Sequence, residues 1–168
     1  MKQVTKEYEV FTFEELSEEV QAKVLERFRQ EEYETLHGLN DYLEDCLFEL
    51  LENDNIAYEE NPKLYYSLSY CQGDGVMFEG TFQWEGFTFV VKHSGHYNHE
   101  NSKTIDAMNE EGEDDETKLE EFNEVYVSIC KQLEKLGYDY IEDVTSDESV
   151  KDMILVNEYE FLKDGTVF

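Results

Sequence analysis

The stretch VMFEGTFQWEGFTFVVKH, residues 76–93, decides the fold, because it alternates apolar and polar side chains in two consecutive runs. Such a period of two is typical of strands that bury one face. The runs are separated by the dipeptide Glu85-Gly86, which favours a two-residue hairpin turn. Pairing Trp84 with Phe87 keeps the large apolar residues of both runs on one face. The sequence therefore predicts an antiparallel hairpin.

A third run, LYYSLSY at residues 64–70, shows the same alternation just before the hairpin. A one-residue slip would turn its apolar side chains outward, so the faces constrain the register. We pair Leu68 with Phe78, which leaves CQGDG, residues 71–75, as the connecting loop. This loop and the one that begins at His93 should then be neighbours at one end of the sheet.

Helical periodicity appears on both sides of the strands. Thr12 and Glu15 have the spacing of a capping box ahead of the amphipathic segment SEEVQAKVLERFRQ. A second amphipathic segment covers residues 36–50. A long one follows residue 116 with Gly137 as its predicted C-terminal stop, and a short one lies near 147–157.

Helices and strands are segregated along the chain, which is typical of the α+β class. We predict a small antiparallel sheet of about three to four strands, packed against several amphipathic helices. Residues 1–168 should form one domain, with a mobile acidic loop near residues 102–116. No apolar run approaches the roughly 20 residues that cross a bilayer, so we expect no membrane association.

The chain carries 42 Asp and Glu against 13 Lys and Arg, a formal net charge of -29. Proteins bind nucleic acid by neutralising phosphates with basic side chains, so this charge argues against direct nucleic-acid binding. Two interpretations remain. The charge serves solubility alone, or rows of carboxylates imitate DNA and attract a basic, DNA-handling protein.

The candidate contact face consists of acidic residues in and around the first helix. They are Glu14, Glu15, Glu18, Glu19, Glu31, Glu32 and Glu34. The alternative for each of them is an ordinary solvated helix face.

Three of the four histidines, His93, His96 and His99, follow one another at steps of three after the last strand. Zinc favours His and Cys ligands in tetrahedral geometry. If the chain curls through the intervening glycine, Asp74 or Cys71 of the neighbouring loop completes a zinc site. Alternatively, each histidine packs or forms hydrogen bonds by itself. The H-E-x-x-H pattern is absent, which favours a structural ion over a catalytic one.

Four segments, FEELSEEVQAKVLERFR, YSLSYCQGDGVMFEG, KHSGHYNHENS and NEYEFLKDGTVF, resemble a family of small bacteriophage-encoded proteins of mostly unassigned function. In that family a serine commonly stands at the position of Cys71, which weakens this thiol as a shared ligand. The resemblance implies a phage origin and action in the cytoplasm of the bacterial host. An acidic phage protein with a metal site is also similar to the type II-A anti-CRISPR proteins, which inhibit the nuclease Cas9.

These observations lead to one principal expectation and two alternatives. We expect a non-enzymatic inhibitor that binds Cas9 and blocks DNA loading or the rearrangement of the nuclease, whose DNA-binding channel is positively charged. One alternative is a zinc-dependent hydrolase that degrades a host signal. The other is a phage accessory protein whose metal is purely structural.

Overall fold

The computed structural model describes residues 6–109 and 115–168. Its elements, in chain order, are β1 (Phe11–Thr12), a 3-10 turn (Phe13–Glu15), α1 (Glu18–Thr35), α2 (Leu39–Asn53), β2 (Ala57–Tyr58), β3 (Lys63–Ser67), β4 (Gly75–Trp84), β5 (Phe87–His93), β6 (Lys103–Asn109), α3 (Glu116–Val144), α4 (Asp147–Val156) and β7 (Glu160–Phe161). The predicted α+β class is confirmed. No helix of these residues combines the length and the apolar character needed to cross a bilayer.

The chain forms two compact units and passes between them twice, between His37 and Gly38 and again within α3. One unit joins residues 1–37 to residues 140–168, and the other comprises residues 38–139. Organisation as one domain stays a prediction.

The first unit packs α1 against α4 around a small aromatic core. Its buried members are Phe13, Leu16, Val24, Phe28, Val150, Ile154 and Phe161. The short strands β1 and β7 pair beside this core. The predicted capping box is confirmed, because the backbone N–H of Thr12 donates to Glu15 Oε2 at 2.8 Å.

In the second unit, β4 is the central strand of the sheet. Strands β2 and β3 pair with successive parts of one edge of β4, β5 pairs with the other edge, and β6 follows β5. The predicted hairpin register is confirmed, with Trp84 opposite Phe87. Both turn residues, Glu85 and Gly86, have positive φ angles, as a type I′ turn requires.

Helix α3 covers one face of this sheet. The ring of Phe122 stacks on that of Phe89, with centroids 3.9 Å apart. One turn further along, the hydroxyl of Tyr126 donates to the carbonyl of Phe78 at 2.8 Å and accepts from its N–H at 3.1 Å. Each of these four side chains is almost completely buried, so this contact fixes the register of α3 on the sheet.

The predicted pairing of the third run with the hairpin is wrong by four residues. Leu64, not Leu68, lies opposite Phe78. An even shift keeps every side chain on its predicted face, so the error lengthens the loop to residues 68–74 and changes little else. Leu68 instead extends towards α3, where a Cβ added to Gly137 would lie 2.4 Å from Leu68 Cδ1. Gly137 is therefore a close-packing position inside α3, and its prediction as the helix end is wrong.

The prediction of a mobile loop near 102–116 is wrong for its first part, where β6 occupies Lys103–Asn109. The sequence of β6 alternates in the pattern of a strand: Ile105 and the buried Ala107 lie opposite Val91 and Phe89. Residues 110–114 of the predicted loop lie outside the described residues.

Candidate functional site

The two loops that the sequence placed together are neighbours at one end of the sheet. Glycines make the contact possible: a Cβ on Gly75 would lie 2.5 Å from the Cβ of His99, and one on Gly73 would lie 2.9 Å from the ring of Tyr97. These distances are shorter than carbon atoms tolerate. Backbone without a side chain is therefore needed where the loop 68–74 meets the loop 94–102.

Asp74 is the centre of the first loop. Its carboxylate accepts hydrogen bonds from the backbone N–H of Ser69 at 2.7 Å and of Cys71 at 2.9 Å. The hydroxyl of Tyr138, on α3, donates to it at 2.6 Å. The hydroxyls of Ser67 and Ser69 and the thiol of Cys71 add longer contacts of 3.1 to 3.3 Å. Asp74 therefore connects residues within the loop by hydrogen bonds and connects the loop to α3.

These hydrogen bonds determine the protonation states of Asp74 and Tyr138. Burial acts to raise the pKa of Asp74, but hydrogen bonds from Tyr138, Cys71 and Ser69 outweigh it and hold that pKa far below its ordinary value. Burial and the neighbouring carboxylate raise the pKa of the Tyr138 phenol. At neutral pH the pair consists of a carboxylate anion and a neutral phenol that donates to it.

The three histidines have separate surroundings. His93 stacks on Tyr65, with ring centroids 4.7 Å apart, and its Nε2 lies 3.0 Å from the carbonyl oxygen of Tyr97. His99 Nδ1 accepts from the N–H of Asn101 at 3.1 Å. His96 is exposed in the same loop.

The five predicted ligands do not converge on one metal position. They are His93, His96, His99, Asp74 and Cys71. Within residues 6–109 and 115–168, no three His, Cys, Asp or Glu side chains are grouped as metal ligands would be. The oxygens of Asp74 are committed to hydrogen bonds, and the exposed Cys71 lies against Ser69 Oγ at 3.3 Å. The zinc site therefore stays a prediction.

Between the loops and α3 lies an open cavity of about 580 Å³. Its walls are Gln72, Gly73, Asp74, Tyr97, His99, Glu100, Asn101 and Glu134. Three of these residues carry carboxylates, and burial, with Glu100 and Asp74 as further causes, raises the pKa of Glu134. The cavity is polar and anionic, so its chemistry suits a cationic or hydrogen-bonding group.

Sequence reasoning did not find the α3 residues of this site, Glu134 and Tyr138. The signal was present, since both lie in a stripe at steps of four that starts at the buried Cys130. A carboxylate and a phenol on an otherwise apolar helix face indicate polar partners across that face. Burial raises the pKa of the Cys130 thiol itself to about 12, so this side chain is part of the core.

The acidic residues predicted around α1 lie at the surface, except that Glu32 is half-buried. Several of them already have partners. Glu15 caps the 3-10 turn, and Glu19 pairs with Lys23 at 2.6 Å. Glu31 lies 3.9 Å from Arg27. The basic residues of α1 therefore offset part of the charge on the predicted face.

Helix α2 presents a second acidic surface that the sequence analysis did not single out. Asp41, Asp45, Glu49 and Glu52 are exposed at steps of four, four and three, and we call them the α2 acidic row. At 3.6 residues per turn they lie within about 80° of arc. The sequence of α2 contains no Lys or Arg, so this row has no cation within its own helix.

Known proteins give no further identification. No protein-family model matches the sequence, and no curated protein or solved structure matches the chain. The resemblance to a phage family therefore stays a prediction that rests on the four quoted segments.

Proposed function

We propose that this chain is a phage-encoded, stoichiometric inhibitor that binds a basic DNA-handling nuclease, with Cas9 as the first candidate. It acts in the bacterial cytoplasm by occupying a surface that the nuclease uses for DNA, and it carries out no chemistry of its own. The observation that carries this proposal is the α2 acidic row, with four exposed carboxylates and no basic residue in the same helix.

The spacing of this row supports the proposal. With a rise of about 1.5 Å per residue, its carboxylates recur about every 4.5 to 6 Å along the helix. One strand of DNA presents a charge about every 3.4 Å. A single helix thus reaches more than half the linear charge density of a DNA strand. Helix α1 carries more carboxylates but also Lys23, Arg27 and Arg29, so its net charge per unit length is lower.

An acidic surface of this kind changes the rate of association with a basic partner more than the energy of any single contact. An exposed ion pair contributes only about 0.2 to 1 kcal/mol. A surface of one sign, however, raises the local concentration of a basic partner and accelerates encounter, and salt suppresses this acceleration. We therefore expect inhibition that saturates near equimolar protein and weakens steeply with added salt.

The test is guide-directed DNA cleavage by Cas9 with the protein titrated in, at low and at high salt. The α2 variant neutralises the row, and a matched variant removes the same number of charges from the predicted α1 face. The substitutions are Asp41→Asn, Asp45→Asn, Glu49→Gln and Glu52→Gln in the first, and Glu14→Gln, Glu18→Gln, Glu31→Gln and Glu34→Gln in the second.

We expect the α2 variant to lose about fourfold or more in inhibitory potency, because four contacts of about 0.2 to 1 kcal/mol each sum to about 0.8 to 4 kcal/mol. The α1 variant should lose less. A greater loss in the α1 variant would move the contact face to α1. No inhibition by the wild-type protein at large excess would remove Cas9 as the target, and turnover of a nucleotide that requires added zinc would favour the hydrolase alternative.

A further inference from the structure

Strand β6 forms one end of the sheet in the described part of the chain, because it pairs with β5 on one side only. The hydrogen bond between Ser94 and Ser102, just before β6, shows which backbone groups of β6 point towards β5. The N–H of Ser94 donates to the carbonyl of Ser102 at 2.8 Å. In an antiparallel ladder such hydrogen-bonded pairs alternate with non-bonded ones. The N–H and C=O groups of Lys103, Ile105 and Ala107 therefore point away from β5, towards the open edge.

The side chains of the same three residues face α3 and line a groove between β6 and that helix. Two depressions form the groove, of about 320 and 310 Å³, and they share the walls Ile105 and Leu119. The first is completed by Lys103, Glu120 and Asn123, and the second by Asp106, Ala107, Met108, Asp115 and Glu116. Open backbone groups and side-chain pockets thus occur along the same strand, the arrangement by which sheet edges bind extended peptides.

The rim of this groove is acidic, with Asp106, Asp115, Glu116 and Glu120 as its carboxylates. The two nearest lysines offset only part of this charge. Lys103 turns inward over the ring of Tyr126, 4.8 Å from its centroid, and donates to the carbonyl of Glu100. Lys118 is engaged by Glu85 and Glu121, each at 2.6 Å.

We propose that the β6 edge binds an extended segment of a partner protein by strand addition, and that this segment carries Lys or Arg at alternate positions. The aliphatic stem of each basic side chain lies over Ile105 and Leu119, while its charged end meets Glu116 or Glu120. A second copy of this chain is a poor occupant, because two molecules of charge -29 repel each other. This surface is separate from the α2 acidic row and does not depend on the identity of the nuclease.

The probe is a short synthetic peptide that alternates lysine with valine, which presents all lysines on one face of a strand. Two control peptides separate the causes of binding. One has the same side chains but N-methylated amides, so it cannot complete the strand hydrogen bonds, and the other replaces lysine with glutamate. Amide NMR spectra of the full chain locate the binding, and anisotropy of labelled peptide gives its affinity.

We expect shifts concentrated in residues 103–107 and loss of binding for both control peptides. Ile105→Pro removes one outward N–H at a position where an edge strand tolerates proline. Glu116→Lys with Glu120→Lys reverses two of the four rim charges and so cancels the net charge of the rim, without touching the strand. Each variant should weaken binding about tenfold, whereas Asp152→Lys, at an exposed position on α4 outside both proposed surfaces, should leave it unchanged. Circular dichroism confirms that each variant is folded, and the charge reversal decides the matter if the proline variant is not.

Three results would overturn the proposal. The first is the absence of shifts in residues 103–107 at saturating peptide. The second is equal binding of the N-methylated peptide, which would leave only general electrostatic attraction. The third is self-association of the wild-type protein that Ile105→Pro abolishes, which would make a second copy the occupant.

Discussion

Replacing Asp74 with asparagine removes the charge at the centre of the loop 68–74 while keeping the size of the side chain. The carboxylate accepts from Ser69, Cys71 and Tyr138 at 2.6 to 2.9 Å. A hydrogen bond to a charged group contributes about 1.5 to 3 kcal/mol, against about 1 kcal/mol for a neutral one. Asparagine has one acceptor oxygen and would direct its own NH₂ at N–H donors. We expect Asp74→Asn to lower the free energy of unfolding by about 2 to 4 kcal/mol at neutral pH.

The loss of stability caused by Asp74→Asn should become smaller at low pH. The pKa of Asp74 in the folded protein lies below the ordinary value of 3.8, because hydrogen bonds stabilise the anion. Its contribution is therefore complete above about pH 5 and is lost as the pH falls through the folded-state pKa. Urea titrations of wild type and variant should show a difference that narrows as the pH is lowered from about 5 to 2. The other acidic residues are protonated alike in both proteins. Their effect therefore cancels when the two free energies of unfolding are compared at the same pH.

Two further variants make this experiment specific. Tyr138→Phe should cost about 1 to 3 kcal/mol in the wild-type background and much less beside Asp74→Asn, because both changes remove the same contact. The exposed Asp152→Asn on α4 should stay within about 0.5 kcal/mol of wild type. An Asp74→Asn cost below about 0.5 kcal/mol, or a cost that does not change with pH, would show that the Asp74 carboxylate does not stabilise the fold in this way.

Three other predictions concern packing, metal content and thiol reactivity. Gly137→Ala should destabilise the protein by about 1 to 3 kcal/mol in thermal or urea unfolding, because the new Cβ meets Leu68; a gain in stability, as alanine gives elsewhere in helices, would contradict the packing. If the zinc prediction holds, protein purified without chelator carries about one equivalent and His99→Ala loses it, whereas less than about a tenth of an equivalent would end that prediction. In the native state, iodoacetamide should label the exposed Cys71 much faster than the buried Cys130, whose pKa burial raises to about 12; comparable rates by mass spectrometry would place Cys130 in contact with solvent.

The sequence predicted the register of β4 and β5 because the turn between them leaves no freedom. A two-residue loop at Glu85 and Gly86 permits one pairing, and the apolar faces agree with it. The pairing of β3 with β4 was wrong because a loop of unknown length separates the two strands. Side-chain alternation fixes only whether a register is odd or even, so a shift of four residues satisfied it equally well.

The candidate site was predictable only in part, for a related reason. Adjacency of the two loops follows from strands of fixed direction and was correctly inferred. The residues that α3 contributes, Glu134 and Tyr138, depend on where a helix lies on the sheet, and the contact of Tyr126 with Phe78 sets that position. Such a contact joins residues 48 positions apart, and no local pattern in the sequence specifies it.

The choice of the acidic contact surface also depends on neighbouring residues. Basic side chains near the carboxylates lower the net charge of a surface. The predicted contact face lies on and around the first helix, which is rich in glutamate, but that helix also contains Lys23, Arg27 and Arg29. The α2 acidic row has fewer carboxylates and no cation in its helix. A basic partner responds to the net field of a surface, not to the number of its acidic residues, so α2 is the stronger candidate for contact.

The arrangement around Asp74 also bears on what a metal would contribute. A structural zinc ion stabilises a small fold by joining segments that would otherwise separate. Here Asp74 already joins its own loop to α3 through Tyr138, and close packing of Gly75 against His99 joins that loop to the histidines. If these contacts suffice, a chelator will leave the unfolding transition unchanged while Asp74→Asn lowers it. If zinc is the principal link, the chelator will have the larger effect, so the two treatments compared on one protein distinguish the alternatives.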